Sequence, residues 1–253
     1  MRRYWIQPQD IVDDHVKFEG DTFHHIFSVC RQDTGSHFEV LCDKKAYLVQ
    51  VIELGKKIAR AQIKEVRIIP ELPRPHLHIA LSISRYQVMD DVVEKLVEMG
   101  VASFHPFFSD FSFVKSANSF PLQKLERWEK IVISATQQCG RGELMKIHAP
   151  VEFKNILSQI NPAKGQLGLW SYEGDSKNSV SNFLKIHKNP DISDIWCLVG
   201  SEGGFSTQEV ENLKGLGFDP VTLGRQILRV ETACLTLVSV LKYEFNLMRG
   251  DEP

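Results

Sequence analysis

The chain carries little cysteine. Its five cysteines, at 30, 42, 139, 197 and 234, are odd in number and include no C-x-x-C pair. Neither a disulfide framework nor a zinc site is indicated; Cys197 and Cys234 sit inside apolar runs and read as small core residues. No apolar run is long enough to span a bilayer. The opening residues, Met1-Arg2-Arg3-Tyr4-Trp5-Ile6-Gln7-Pro8, have no apolar stretch of the kind a secretory leader needs,. A cytoplasmic, reducing compartment and no membrane partner are therefore expected. Charge of one sign is lacking too: 30 Lys+Arg stand against 32 Asp+Glu. That removes any global basic signal for nucleic acid but leaves local patches, at Arg2-Arg3, Lys44-Lys45 and Lys56-Lys57 with Arg60, to do electrostatic work.

The common chemical motifs are also missing. G-x-G-x-x-G is absent; Gly215-Leu216-Gly217-Phe218 comes nearest but precedes an apolar strand instead of following one,. There is no G-x-x-x-x-G-K-[ST], so a phosphate cradle of the ATPase type is not expected. H-E-x-x-H and G-x-S-x-G do not occur, and His24-His25 and His76-x-His78 have no partners at metal-ligand spacing,. No metal and no hydrolytic triad are expected.

What the chain has is two glycine turns in its last third. The first is Val199-Gly200-Ser201-Glu202-Gly203-Gly204-Phe205-Ser206; the second is Leu223-Gly224-Arg225-Gln226-Ile227-Leu228-Arg229-Val230-Glu231-Thr232-Ala233. Each follows an apolar run that reads as a buried strand, and each opens into a helix. Such a turn aims backbone N–H groups at a ligand, and two of them so close together suggest one site. A tight turn with a helix cap is the plainer reading of Gly203-Gly204 alone.

With 253 residues, 43% of them hydrophobic, the chain can bury one large core or two modest ones. Residues 1–72 look β-rich: 38–42, 46–52 and 58–63 are strand candidates, punctuated at Asp43-Lys44-Lys45 and Gly55-Lys56-Lys57. Thr22 to Val29 fits a helical turn, and short strands at this spacing suggest a small barrel. The prolines at 70, 73 and 75 mark a boundary. From 73 to 250 strands at 77–83, 102–108, 165–170, 195–200 and 219–223 alternate with helical patterns. Met89, Val92, Val93, Leu96 and Val97 mark one helix, ended at Gly100. Leu122, Leu125, Trp128, Val132 and Ala135 mark another, ended at Gly140,. Ser206-Thr207-Gln208-Glu209 has capping-box spacing. Residues 232–248 are apolar around much of the helical circumference and read as a largely buried helix. The alternation predicts an α/β layer with a mostly parallel sheet.

Taken together, the two turns, Ala135-Thr136-Gln137-Gln138-Cys139-Gly140-Arg141 and Glu94-Lys95-Leu96-Val97-Glu98-Met99-Gly100-Val101 resemble the bacterial ribosomal RNA small subunit methyltransferase E family of the SPOUT superfamily. At the amino end Met1-Arg2-Arg3-Tyr4-Trp5, His25, Val29-Cys30-Arg31 and Gly35 resemble that family's PUA-like RNA-binding domain. The resemblance implies an N-terminal PUA-like β-barrel, a C-terminal α/β SPOUT domain with a trefoil knot, and a homodimer. It implies transfer of a methyl group from S-adenosylmethionine to uridine N3 of small-subunit (16S) ribosomal RNA, free or in the assembled 30S subunit.

On this resemblance the cofactor would be held by loops around Leu169 and Trp170, Val199, Gly200, Gly203 and Gly204, and Leu223, Gly224, Ile227, Leu228, Thr232 and Ala233. Arg229 would stabilise charge on the uracil oxygens, while Glu231 or Glu202 would accept the N3 proton. Arg2, Arg3, His25, Arg31, Arg85 and Arg141 are the candidate RNA contacts. The chain departs from the family pattern at Ser201 (usually proline), at Arg225-Gln226 (usually proline then arginine), at Arg85-Tyr86-Gln87 (usually lysine-glycine-acid) and at Phe111 (usually arginine). Two other readings stay open: a SPOUT methyltransferase with a different RNA target, and a non-catalytic RNA-binding relative.

Overall fold

Alternation of apolar and polar residues near the amino end produces strands, and a computed structural model shows how they assemble. It describes residues 1–161, 165–173, 178–215 and 218–248; Leu216 and Gly217 of the near-fingerprint lie outside the described residues. The chain divides into two units. One comprises Met1–Glu71 with Ile133–Leu144, the other Leu72–Val132 with Met145 onward.

In the first unit β1 (Arg3–Trp5), β2 (Ile11–Val12), β3 (His15–Phe18), β4 (His37–Cys42), β5 (Lys45–Leu54) and β6 (Ala59–Ile68) form one sheet in the order β1-β4-β5-β6-β3-β2. β1 runs parallel to β4; the other ladders are antiparallel. The β4–β5 connection is a two-residue turn with Asp43 and Lys44 at φ 53 and 60, the left-handed pair that matches strand twist. Register shifts at Leu48/Val49 and Val51/Glu53 mark bulges in the β5–β6 ladder, which bend a strand and raise its twist. Between β3 and β4 lie α1 (Gly20–Phe23) and a π-helical turn at His24–Val29. One aromatic cluster fills this unit: Tyr4 meets Phe38 edge-on at 5.0 Å, and Phe18 meets Phe38 at 5.8 Å and Phe27 at 5.7 Å. The 133–144 segment belongs here through backbone contact, Lys44 N–H donating to Gly142 O at 3.0 Å.

The second unit alternates strand and helix: β7 (His76–Ser82), α2 (Tyr86–Glu98), β8 (Ser103–Phe108), α3 (Gln123–Cys139, whose last turns group with the first unit), β9 (Lys146–Ile147), β10 (Val151–Glu152), α4 (Phe153–Leu157), β11 (Gln166–Ser171), α5 (Val180–His187), β12 (Asp194–Val199), α6 (Thr207–Gly215), β13 (Asp219–Val221) and α7 (Val230–Glu244). The sheet order is β10-β8-β7-β12-β11-β13 with β9 beside β8, and every ladder among the described residues is parallel. The protein is thus mixed α/β. β8 is buried along its whole length, as expected of a parallel strand covered on both faces.

The helix starts follow local chemistry. In α6 the capping box forms: Ser206 N–H donates to Glu209 Oε2 at 2.9 Å and Glu209 N–H to Ser206 Oγ at 3.3 Å,. α7 is less enclosed than its composition suggests. Val230, Ala233, Cys234, Leu237, Val238 and Leu241 form its buried stripe, while Leu235 and Val240 are half-buried and Tyr243 is exposed. Apolar girth did not translate into all-round burial, because helix and sheet neighbours cover one face only.

The amino-terminal ends of the central strands carry a buried polar network. His78 Nε2 lies 2.9 Å from Asp194 Oδ1 and its Nδ1 2.6 Å from Ser103 Oγ; Ser103 Oγ lies 2.7 Å from His105 Nε2. His105 stacks on His148 at 4.0 Å and packs against Trp196 at 4.5 Å. Burial, assisted by His148, His78 and Lys146, pulls the His105 imidazole down to about 3, and burial lowers His78 and His148 too. Among the described residues no cluster of His, Cys, Asp and Glu has the makings of a metal site.

Candidate functional site

In an open parallel sheet, ligands bind beyond the carboxyl ends of the strands. At that end β11, β12 and β13 release three loops around one open cleft, a concave surface of the kind that takes small molecules. The first wall is the turn after β12. Gly204 N–H donates to Ser201 O at 2.9 Å, closing a turn with Gly204 at φ +70, and a Cβ on Gly200 would lie 2.8 Å from the Gly204 carbonyl carbon. Both positions are therefore closed to larger residues by the turn itself.

The second wall is the loop after β13, where Leu223, Gly224, Ile227 and Leu228 line the cleft. Its start is pinned by Thr222, whose hydroxyl donates to Gly224 O at 2.8 Å. The loop runs into α7, whose Val230 and Ala233 form part of the floor. Arg229, the N-cap residue, gives that helix no side-chain cap, so first-turn N–H groups are left for other acceptors. The third wall is Ser171, Tyr172 and Glu173, at and just past the end of β11. Glu173 lies over the first turn: its Oε1 would be 3.1 Å from a Cβ on Gly204. Among the described residues the cleft combines an apolar wall, backbone groups of two turns, one carboxylate and, at Arg225, one guanidinium.

The structure brings Val199, Gly200, Gly204, Leu223, Gly224, Ile227, Leu228 and Ala233 together around this space. It places four of the other expected cofactor residues differently. Leu169 and Trp170 are fully buried in β11; the indole N–H of Trp170 donates to Phe218 O at 3.0 Å, and its ring meets Phe205 edge-on. These two hold the strand, and the residues that follow reach the cleft. Gly203 faces away, where a Cβ would lie 2.9 Å from Phe111 Cβ. Thr232 is exposed on the first turn of α7. The cleft residues not singled out from sequence, Tyr172 and Glu173 above all, carried one usable signal: they directly follow a predicted parallel strand.

None of the three expected catalytic residues lines the cleft, although each is next in the chain to one that does: Glu202 to Ser201, Arg229 to Leu228 and Val230, and Glu231 to Val230. Arg229 is exposed and Glu231 half-buried at the start of α7. Glu202 accepts from the Arg85 backbone N–H at 3.2 Å, and the Arg85 Nε lies 3.9 Å from the same oxygen. Arg85 is the one expected RNA contact in the second unit; Arg2, Arg3, His25, Arg31 and Arg141 all fall in the first. There Arg2 donates to Cys30 O at 2.7 Å. Arg3 donates to Glu39 Oε2 at 3.0 Å, and Arg67 holds the same carboxylate, which with Arg3 keeps Glu39 below the usual carboxylate range. His25 and Arg31 are exposed, Arg31 at φ 54. Arg141 is half-buried, and burial lowers its guanidinium pKa.

Comparison with known proteins matches both units. Residues 70–242 match an RNA methyltransferase domain and residues 18–64 an RNA methyltransferase PUA domain. A ribosomal RNA small subunit methyltransferase E from Buchnera aphidicola (subsp. Schizaphis graminum) is 31% identical over 250 residues, covering 96% of this chain and 95% of that protein. The protein of that name from Mesomycoplasma hyopneumoniae is 32% identical over 220 residues, covering 86% and 89%. A crystal structure of a ribosomal RNA small subunit methyltransferase E from Neisseria gonorrhoeae bound to S-adenosylmethionine superposes with a TM-score of 0.82 at 27% identity, over 96% of this chain and 98% of that one. With a domain match over more than half its length and relatives above 30% identity along nearly all of it, the chain belongs to the ribosomal RNA small subunit methyltransferase E family.

Proposed function

We propose that this protein uses S-adenosylmethionine to methylate N3 of a uridine in small-subunit ribosomal RNA. The observation that carries the reading is the cleft itself: two glycine turns and the end of β11 converging beyond the carboxyl ends of adjacent parallel strands. The residues present fit the donor. Leu223, Ile227 and Leu228 offer an apolar wall for adenine. The tight turn at Gly200–Gly204 brings backbone close, and Glu173 supplies a negative group for the donor's cationic end. The uncapped start of α7 suits its carboxylate. When bound, S-adenosylmethionine supplies a methyl group already activated by positive sulfur, so the protein's work is to hold and aim.

The acceptor needs more help. Uridine N3 carries a proton in its neutral form, and a stacked base is out of reach until it is turned outward. Glu231, half-buried and next in the chain to the cleft residue Val230, accepts that proton; Glu202 is already engaged by Arg85. Arg229, exposed at the same helix start, stabilises negative charge gathering on the uracil oxygens. The first unit grips the RNA, with Arg2, His25 and Arg31 on its surface.

Three finer features of the family belong to this reading. A barrel is supported by the bulges in the six-stranded sheet and by the aromatic core packed on it. A trefoil knot is supported by α7, which follows edge strand β13 yet packs against α2 and β12. A homodimer is supported by the apolar outer face of α7, Leu235, Val240 and Tyr243. The site of action is the cytoplasm, where the ribosome is; no described helix is long and apolar enough to cross a membrane.

Two measurements test the proposal. Calorimetry with S-adenosylmethionine should show binding that Leu228→Asp abolishes. Nucleotide-resolution mapping of ribosomal RNA from cells with and without the protein should show one N3-methyluridine that disappears; an unchanged set of methyluridines overturns it.

A further inference from the structure

The segment after β8 exposes two phenylalanines beside the cleft, and nothing in the donor-binding reading uses them. Phe111 is 49% and Phe113 56% exposed, whereas Ser112 between them is buried. The alternation turns both rings outward from one short stretch. The stretch is firmly held. Ser112 Oγ accepts from Ser109 N–H at 2.6 Å and lies 3.1 Å from Ser82 Oγ, which itself lies 2.5 Å from Ser109 Oγ. Phe113 N–H donates to Ile83 O at 2.7 Å. Ser201, in the first glycine turn, donates its hydroxyl to Phe111 O at 2.7 Å, and Gly203 leaves room for the Phe111 Cβ. The aromatic pair is thus built onto the turn that forms the cleft wall.

Its surroundings are cationic as well as aromatic. Phe113 meets Tyr86 edge-on at 5.6 Å, and Lys124 Nζ stands 4.4 Å above the Tyr86 ring. Lys115 follows on the same stretch and donates to Asp110 O, and the Arg85 side chain is 76% exposed beside Glu202. Of the acids close by, Glu202 is paired with Arg85 and Asp110 takes a hydrogen bond from the Ser206 hydroxyl, which leaves Lys115 and Lys124 as the cations here without a carboxylate partner in an ion pair among the described residues. Exposed aromatic faces among cations, on a loop pinned by hydrogen bonds, are the means by which proteins hold unpaired nucleotides.

We infer that Phe111 and Phe113 form a stacking platform for unpaired bases of the RNA strand next to the nucleotide entering the cleft. The inference rests on the proposed RNA substrate and adds a specific contact to it. A protein surface, such as a second copy of this chain, is the competing occupant, and the cations and the continuity with the cleft favour RNA. Stacking works through the face of the ring. Leucine, similar in apolar bulk, should therefore fail where tyrosine succeeds.

The test uses the full-length protein, S-adenosylmethionine labelled in its methyl group, and small ribosomal subunits from cells lacking the protein. For the pair Phe111→Leu and Phe113→Leu, the subunit concentration giving half-maximal methylation should rise about 5- to 100-fold. Affinity for S-adenosylmethionine and sedimentation of the free protein should not change, and Phe111→Tyr with Phe113→Tyr should behave like wild type. An unchanged half-maximal concentration overturns the inference, as does a leucine pair that sediments as a smaller species, since the rings would then cover protein. If the wild-type protein binds S-adenosylmethionine but transfers nothing to these subunits, the proposed substrate fails instead, a result separable from both.

Discussion

Acid should weaken this protein through one residue above others. His105 is 4% exposed and is held neutral by burial, its pKa brought from 6.5 to about 3. The sign follows from linkage: an unfolded chain takes up this proton as the pH drops below 6.5, and the folded chain does not until about 3. The stability the neutral imidazole allows is therefore complete above 6.5 and is lost progressively as pH falls toward 3. At 1.36 kcal/mol per unit, the loss from His105 is about 2 kcal/mol by pH ~5 and roughly 5 kcal/mol near pH ~3. His78 and His148 are lowered as well, so their contributions have the same sign; Asp194, lowered by Ser193 and His78, adds its share only below the ordinary carboxylate range. Replacing His105→Phe keeps a ring against His148 and Trp196 and removes the titration. Urea unfolding followed by tryptophan fluorescence at about pH 7.5 and about pH 5 should show the variant losing about 2 kcal/mol less than wild type over that interval. Equal losses in the two proteins would refute the reasoning, because the His105 site would then be wet enough to titrate normally.

Three other predictions concern the site and its supports. Gly200→Val should lower affinity for S-adenosylmethionine at least tenfold (about 1.4 kcal/mol) because its side chain meets the Gly204 backbone; calorimetry alongside circular dichroism separates this from unfolding. Arg229→Ala should leave that affinity within about twofold and reduce turnover on ribosomal subunits by roughly 10²–10³, read by methyl incorporation; a matching loss of donor affinity would assign Arg229 to the donor. Glu209→Ala strips acceptors from Ser206 and from Asp110, whose N–H reaches Glu209 Oε1 at 3.0 Å. With the residue 4% exposed, it should cost about 2–4 kcal/mol, measurable as a lower urea midpoint, with Glu209→Gln losing less.

Periodicity made the long elements legible. The Met89–Val97 stripe became α2, the Leu122–Ala135 stripe became α3 from Gln123 to Cys139, and the Ser206–Glu209 spacing became a formed cap. Short elements left no such trace. β1, β2, β9 and β10 have two or three residues each, too few for any period to register, and only their partners define them. The assignment of 133–144 to the first unit was equally invisible, since a helix pattern does not reveal which core its last turns join. At the cleft, glycines announced the turns, but which side each faces depends on tertiary packing. Gly203 turned toward Phe111, and Glu173 entered the cleft from a loop whose sequence shows no motif. The histidine network was hidden for a similar reason. Its members are scattered along the chain, and only the parallel register of β7, β8, β9 and β12 assembles them.

That register has a temporal consequence. The central ladder joins β7 to β12, and residues such as His78 and Asp194 that meet there are 116 positions apart. Loop closure over such a span must be completed before the pairing yields any gain, so the middle of the sheet is among the last parts to lock during synthesis. The proposed donor pocket, whose final wall comes from still later residues, is a product of the finished chain, and on that reading a nascent polypeptide on the ribosome has no means of modifying the particle that is making it.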